Sequence, residues 1–367
     1  MKLSVTWPYV RSLYADGVRN LSAQSIDLSP GINCFVGPNG SGKTSLLESF
    51  SLLSTGRSFR VASAKPLIQH GREDCLVRAE LMVNGQCRKL GIQRSKSGGV
   101  SMRVDGVSVR VLADFVRVVP SVVVDPEATE LVVGPPDSRR RLLDGILFHV
   151  EQAFYPTWRR YQRALQQRNA DLRHATIGDP DPWLPELISA GGPLTTIREH
   201  WANLLEQAVR DQLQCLSPNL PEVQIKLRRG WAEDTSLEEA LGRGCASDRD
   251  SGFTRSGPHR ADLRLMAGGK AIAEVFSRGQ IKLVTVALRL AQGALMGGAS
   301  RVTPVYLVDD VAAELDGDHT QRVFEVLGAL QGQVMLTSVT TTLSRNMGGD
   351  LPATLFHVEQ GRILPVG

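Results

Sequence analysis

Apolar positions along the chain change their spacing twice, and the changes divide it into three stretches. In the first, short apolar runs alternate with polar residues and are bounded by glycine-containing turns. Val10 to Tyr14 and Ser22 to Leu28 read as strands leading to the turn at Pro30-Gly31. Ile32 to Val36 is a continuous apolar run of strand length. Beyond it, Ser45 to Leu53 places leucines and phenylalanine at helical spacing. From Asp74 to Val111 the alternation is broken at Asn84-Gly85, Ser97-Gly98-Gly99 and Asp105-Gly106. Asn-Gly and Asp-Gly supply the positive φ angles of tight hairpins, so this stretch predicts an antiparallel β meander. Val116 to Val124 reads as one more strand.

After Gly134-Pro135-Pro136 the period becomes helical. One helical pattern runs from Ser138 to Ala175, Asp179-Pro180-Asp181-Pro182 interrupts it, and Pro193 to Cys215 resumes it. A short strand at Val223 to Leu227 and a polar, glycine-rich stretch around Gly242 to Gly252 follow. A helix is expected from Phe276-Ser277 onward, with Lys282 to Ala291 well spaced. Strand character returns at Val302 to Val308 and at Gln333 to Thr337, with a helix near Thr320 to Leu330 between them. The expected layout is a nucleotide lobe split between residues 1–125 and 295–367, with a largely helical lobe inserted at 126–294. The class is α/β, its β-α pattern wrapped about a sheet.

Bulk composition narrows the setting. A chain of 367 residues with 42% hydrophobic and 22% charged content has the make-up of an ordinary soluble protein of about two domains. No stretch reads as a membrane span and the N-terminus lacks a secretory pattern, so no membrane role is expected. The cysteines Cys34, Cys75, Cys87, Cys215 and Cys245 are odd in number and lack C-x-x-C spacing. That argues against a disulfide framework or a zinc site and fits a reducing cytoplasm. A net charge of +4 permits a polyanionic partner without requiring one.

The sharpest chemical signal is Gly37-Pro38-Asn39-Gly40-Ser41-Gly42-Lys43-Thr44, which matches the phosphate-binding loop pattern. Glycines let the backbone curl so that successive N–H groups face phosphate oxygens. Lys43 would place its charge on the β- and γ-phosphates, and the Thr44 hydroxyl would ligand Mg²⁺. A strand before the loop and a helix after it complete the expected setting, with the helix N-terminus aimed at the same anion. This predicts a nucleoside triphosphate site with Mg²⁺.

Val305 to Val308 followed by Asp309-Asp310 has the form of the other half of such a site. Asp309 is positioned to hold the metal, and Asp310 to orient or deprotonate an attacking water. Two acids at a strand end are common in themselves; the loop upstream is what gives these a role. Asp310 is one methylene shorter than a glutamate, so slow hydrolysis is expected. Ser277-Arg278-Gly279-Gln280 opens a helix whose N-terminus can receive an anion. Alone it is simply a capped helix. Beside one phosphate loop, a second anion site has a natural use as a γ-phosphate contact supplied by a partner subunit.

These motifs resemble the ATPase heads of the ABC type, in which a signature segment of one subunit closes over the nucleotide of the other. In detail the chain resembles the RecF family of bacterial recombination mediators, related to the SMC chromosome proteins. The residues carrying this are Gly37 to Thr44 with Leu47-Glu48, Gly56-Arg57-Ser58-Phe59-Arg60, Arg139 to Asp144, Gln167-Arg168-Asn169, Ser256 to Arg260, Ser277 to Gln280 and Asp309 to Asp316. They span nearly the whole chain. The resemblance implies ATP as the nucleotide, and an ATP-gated homodimer that binds DNA near single-strand gaps, works with RecR, shares a pathway with RecO and promotes loading of RecA. By position it implies that Lys43 and Thr44 hold phosphate and Mg²⁺, Asp309 is the Walker B acid, Ser277 is the contact in trans, and Glu314-Leu315-Asp316 is the D-loop. Where such heads carry a glutamine before the helical lobe, this chain reads Asp125-Pro126-Glu127. Where they carry a histidine after the last core strand, it reads Thr337-Ser338.

Residues 138–175 hold eight arginines, no lysine and three acids, an excess of five positive charges. A face such as Arg159, Arg160, Arg163 and Arg168 suits DNA phosphates, and equally suits solvent or internal ion pairs. Arg57 and Arg60 join this basic set. His259 reads equally as a buried residue or a contact. A transporter ATPase subunit is the rival of another class, and a small-molecule kinase or nucleotide-sensing scaffold is a third. Neither member of that third class explains Ser277 to Gln280.

Overall fold

The structure is a computed structural model and describes residues 7–61, 63–174, 178, 180–299, 303–339 and 353–366. The chain divides into two compact units. One comprises Met1–Glu127, Cys215–Pro218 and Met296–Gly367; the other comprises Ala128–Gln214 and Asn219–Leu295.

The first unit is built on two six-stranded sheets. One is antiparallel, in the spatial order Gln24–Asp27, Tyr9–Asp16, Asp74–Val83, Gln86–Ser95, Val100–Val104 and Val107–Val109. Its hairpins turn where the sequence places Asn-Gly and Asp-Gly: Asn84 and Gly85 have φ of 49° and 77°, and Asp105 and Gly106 have 50° and 83°. The other sheet is mixed, ordered Arg362–Val366, Ala353–Glu359, Ile32–Val36, Val334–Ser338, Val305–Val308 and Ser121–Val124. Ala353–Glu359 and the four strands after it in that order are parallel, and only Arg362–Val366 runs antiparallel to its neighbour. Ile32–Val36 is buried at every position, as a parallel strand covered on both faces must be. Phe35 stacks on Phe356 with ring centroids 4.9 Å apart.

The helix Lys43–Thr55 packs against strands of both sheets and buries ten of its 13 residues. Its leucines and Phe50 join one hydrophobic core with Leu13, Val77, Ile92, Leu307 and Met335. Burying nearly every face of a helix leaves no solvated side for polar residues, so its serines turn inward. Ser49 donates to the Ser45 carbonyl at 2.9 Å and Ser51 to that of Arg57 at 2.9 Å.

The second unit holds the helices Pro136–Val150, Phe154–Arg173 and Leu237–Ser251, most of Leu184–Leu216 and Arg278–Ala299, and a small antiparallel sheet. Pro136–Val150 buries Leu142, Leu143, Ile146 and Leu147, a stripe at helical spacing.

Several expectations change. The run read as a strand from Val116 to Val124 is the end of a helix, Leu112–Val116, then a strand of only Ser121–Val124. Pro120, which lacks an N–H, separates them. The helical pattern from Ser138 breaks at Glu151, whose backbone is extended at φ −114° and ψ 108°. The next long helix begins at Leu184 rather than Pro193, because Asp181 accepts the Trp183 N–H at 3.0 Å and starts it there; Pro193 lies inside. The glycine-rich stretch around Gly242 is helical. Ser236 and Glu239 form a capping box at its start, and Gly252 ends it at φ 73°. Strands expected from Val302 and Gln333 begin at Val305 and Val334; Val302 lies outside the described residues, as do Ala175 and Asp179. Arg278–Ala299 is long and apolar enough to cross a membrane by length and composition, against the sequence expectation, but 67% of that window is buried within the protein. It is a core helix.

Candidate nucleotide site

The phosphate loop bridges the C-terminal end of Ile32–Val36 and the helix Lys43–Thr55. Two of its glycines are forced by geometry. A Cβ on Gly37 would lie 2.0 Å from the Val358 carbonyl oxygen, and Gly42, at the helix N-cap, has φ of 118°. Lys43 is 6% exposed, and its Nζ donates to the carbonyls of Gly37 at 2.8 Å and Pro38 at 3.1 Å. Burial lowers its pKa, opposed by the charges of Asp310 and Asp309. The Ser41 hydroxyl is buried and has no hydrogen-bond partner. A Cβ on Gly40 would meet nothing within 4 Å. A buried cation held only by carbonyls, an orphaned hydroxyl and an open loop form a cradle that fits an anion.

The acidic side of the site comes from neighbouring strand ends. Val308 pairs with Val124 on one side and Leu336 on the other, so Asp309, Asp125 and Thr337 emerge together at the C-terminal edge of the sheet. One oxygen of Asp309, Oδ1, accepts from the Thr44 hydroxyl at 3.0 Å and the Thr337 hydroxyl at 2.7 Å. Thr337 in turn accepts the Asp310 N–H at 3.0 Å. Asp310 has left-handed backbone, φ 44° and ψ 40°, unusual for a residue with a side chain. Burial raises the Asp310 pKa, with Lys43 pulling it down and Asp309 and Glu314 adding to the rise. Asp125 is raised too, chiefly by burial and then by Asp309 and Glu127, while its bond from the Glu127 N–H and the charge of Arg60 oppose. Thr44 and Asp309 are the pair that could hold a divalent cation.

Lys43, Thr44, Asp309 and Asp310 thus converge. Thr337 and Asn20 are the additions. Asn20 donates to the Gly40 carbonyl at 2.8 Å and accepts from the Ser45 hydroxyl at 2.9 Å, clasping the loop from outside. No pattern marked Asn20 in the sequence, since it lies in an unremarkable turn between strands. Its neighbour Arg19 forms two hydrogen bonds to Glu48, at 3.0 and 2.8 Å, and Glu48 also accepts from Ser58 at 2.5 Å. This ties the helix to the basic loop Gly56–Arg60, where Arg57 and Arg60 are exposed and without an ion pair among the described residues.

Ser277–Gln280 belongs to the second unit. Its ends close a capping box: Ser277 Oγ accepts the Gln280 N–H at 3.3 Å, and Gln280 Oε1 accepts the Ser277 N–H at 2.8 Å. Ser277, Arg278 and Gly279 are exposed. Asp316, the last residue of Glu314-Leu315-Asp316, accepts the His319 N–H at 3.0 Å and caps the helix Gly317–Gly328.

The arginine run resolves unevenly. Arg139 pairs with Asp262 at 2.8 Å, Arg141 with Asp137 at 2.9 Å and Arg160 with Glu186 at 2.9 Å. Arg140 donates to the Ala261 carbonyl at 2.7 Å. Arg168, read as part of an outer face, is fully buried between Asp181 at 2.8 Å and Asp248 at 2.7 Å, because those carboxylates and the Thr254 hydroxyl satisfy its guanidinium inside. Asn169 holds Thr254 through the latter's N–H and hydroxyl. His259 accepts from the Tyr161 hydroxyl at 2.7 Å and donates to the Thr254 carbonyl at 2.9 Å. Arg198 grips Asp144 with two bonds and donates to the Pro258 carbonyl. Motif residues of this unit that stand far apart in sequence therefore share an internal polar network.

A P-loop fold with paired carboxylates at the strand edge, beside an antiparallel sheet, defines an ATPase head of the ABC and SMC type. A family model described as RecF/RecN/SMC N terminal domain matches residues 9–363. The DNA replication and repair protein RecF of Stutzerimonas stutzeri (strain A1501) is 41% identical over 355 residues, covering 96% of each chain. The chain belongs to the RecF family. Among solved structures, the recombination mediator protein RecF-ATP in the RecFOR pathway has a similar fold, with a TM-score of 0.87, 22% identity and full coverage of both chains. An SmcHead bound to the C-winged helix domain of ScpA aligns at a TM-score of 0.60 and 16% identity, covering 98% of this chain and 97% of that one.

Proposed function

We propose that this protein is an ATP-gated, DNA-binding ATPase of recombinational repair and replication, acting in the cytoplasm. The observation that carries the reading is the linked set of Lys43, the orphaned Ser41 hydroxyl and the Thr44–Asp309–Thr337 chain, which suits a magnesium-bound triphosphate. Gly37, Pro38, Asn39, Gly40, Ser41, Gly42, Lys43 and Thr44 wrap the phosphates, and Thr44 and Asp309 hold Mg²⁺. When bound, ATP supplies the phosphoanhydride that is cleaved, and Mg²⁺ neutralises its charge. Asp310 orients a water and accepts its proton; its short side chain keeps turnover slow, which suits a timer more than an engine. Thr337 fixes both aspartates at once.

Ser277, Arg278, Gly279 and Gln280 supply the second half of the site to a partner subunit, so that ATP drives formation of a homodimer. Arg57 and Arg60 carry the sequence-independent contacts to DNA phosphates near single-strand gaps. Relatives named for DNA replication and repair, and a structural neighbour named as a recombination mediator of the RecFOR pathway, support a setting with DNA, RecR and RecO. RecA loading is the outcome that the family resemblance implies. A transporter subunit is not favoured.

Sizing the protein with and without ATP and duplex DNA tests the gating. The sharper test mixes Lys43→Met, defective in cis, with Ser277→Arg, defective in trans. One interface of the mixed dimer then pairs intact Lys43 with intact Ser277, so ATPase activity returns that neither variant shows alone. A Ser277→Arg protein that still dimerises on ATP overturns the contact in trans.

A further inference from the structure

The second unit carries a groove of about 690 Å³ between the first half of Phe154–Arg173 and the start of Leu184–Leu216. Its walls are largely apolar, from Tyr155, Pro156, Ala164 and Trp183. The rings are already fixed. Tyr155 stacks on Trp158 with centroids 6.2 Å apart, and the Trp183 indole N–H donates to Asp171 at 2.7 Å. A preformed pocket lined by anchored aromatics needs little reordering to bind.

Charge at the rim is selective. Arg160 is committed to Glu186, and Arg168 lies buried beneath the helix. Arg159 and Arg163, one helical turn apart on the same face, are exposed and have no ion pair among the described residues. Two free guanidinium groups beside an apolar cleft complement carboxylates flanking a large apolar side chain. A nucleic-acid track fits less well, because it needs a run of unpaired cations, whereas here Arg160 is neutralised by Glu186 and the walls are largely apolar.

We propose that this groove docks a short acidic peptide segment of a partner protein. An aromatic or branched aliphatic side chain enters between Tyr155 and Trp183, and neighbouring carboxylates pair with Arg159 and Arg163. All of the groove's lining residues belong to the second unit.

Selection from an unbiased display library of random dodecapeptides on the full-length protein tests this. The expected winners combine a carboxylate with a large apolar residue and alter Trp183 fluorescence on binding. An Arg159→Glu/Arg163→Glu variant should weaken them by about tenfold or more, at unchanged melting temperature and unchanged ATP turnover. Ala164→Trp, which fills the groove, should do the same; if it misfolds, the surface double variant decides alone. Winners without carboxylates, binding equal in the double variant, or no enrichment at all overturns the proposal. So does an oligothymidylate that binds the wild type and is lost from the double variant while peptides are unaffected.

Discussion

Lys43 with Asp309 and Asp310, and Arg168 with Asp181 and Asp248, are clusters of one composition: a buried cation and two aspartates. They differ in closure. Every polar atom noted around Arg168 is answered from within the protein. Asp181 also accepts the Trp183 N–H, Asp248 accepts the Arg255 N–H at 3.0 Å, and the Thr254 hydroxyl donates to Asn169 Oδ1. Burial works against the Arg168 charge, but the bonds from Asp248 and Asp181 overcome it and raise its pKa. Around Lys43 the balance goes the other way: burial lowers its pKa, its acceptors are two carbonyls, and Ser41 beside it is unanswered. A closed cluster holds a fold together, while an open one has kept its electrostatics for a ligand.

Substitution of the two cations is the strongest way to break this comparison. Lys43→Met should cut ATP turnover by about 10²–10³-fold while leaving the apo protein's melting temperature nearly unchanged. Arg168→Ala should strand two buried carboxylates and lower stability by about 3–5 kcal/mol, read by denaturant titration. If Lys43→Met destabilises as much as Arg168→Ala, the distinction between open and closed clusters fails.

A smaller effect concerns the exposed Arg57 and Arg60, which have no ion pair among the described residues. Arg57→Ala/Arg60→Ala should weaken duplex DNA binding uniformly across sequences and reduce the slope of log affinity against log salt by roughly one for each arginine. Affinity that is flat with salt in the wild type would remove the DNA assignment from this loop.

The least effect sharpens the closed side. Burial pushes His259 down to about 4, helped by Arg260 and Arg140 and opposed by its bond to the Thr254 carbonyl. The folded state then holds fewer protons than the unfolded chain between its ordinary value of 6.5 and about 4. Stability is full above that window and falls as pH drops through it. Thermal melts of the wild type and His259→Asn should converge toward the acid end. Parallel pH profiles would show that His259 is not the group responsible.

Much of the open cluster was legible because its signals are local. Ile32–Val36 has the bounds its apolar run predicts, since five consecutive buried positions leave no ambiguity of face. The hairpins followed from residues that tolerate positive φ. The closed cluster was not legible, because Arg168 meets partners 13 and 80 positions away, and nothing local tells an arginine which carboxylate it will find. Helix Leu237–Ser251 was obscured by glycines that its capping box outweighs. Thr337 was singled out as a departure from a family pattern, yet its bond to Asp309 depends on strand order, which periodicity does not reveal.

Strand order also has a consequence for biosynthesis. Ile32–Val36 finds its two sheet neighbours in Val334–Ser338 and Ala353–Glu359, both of which are made much later than it is. The second unit's residues leave the ribosome before either neighbour exists, so that unit can fold while the phosphate-loop strand still lacks both partners. A chain halted after Thr44 but before Val334 therefore carries the whole glycine-rich motif on a strand that lacks both of its sheet neighbours.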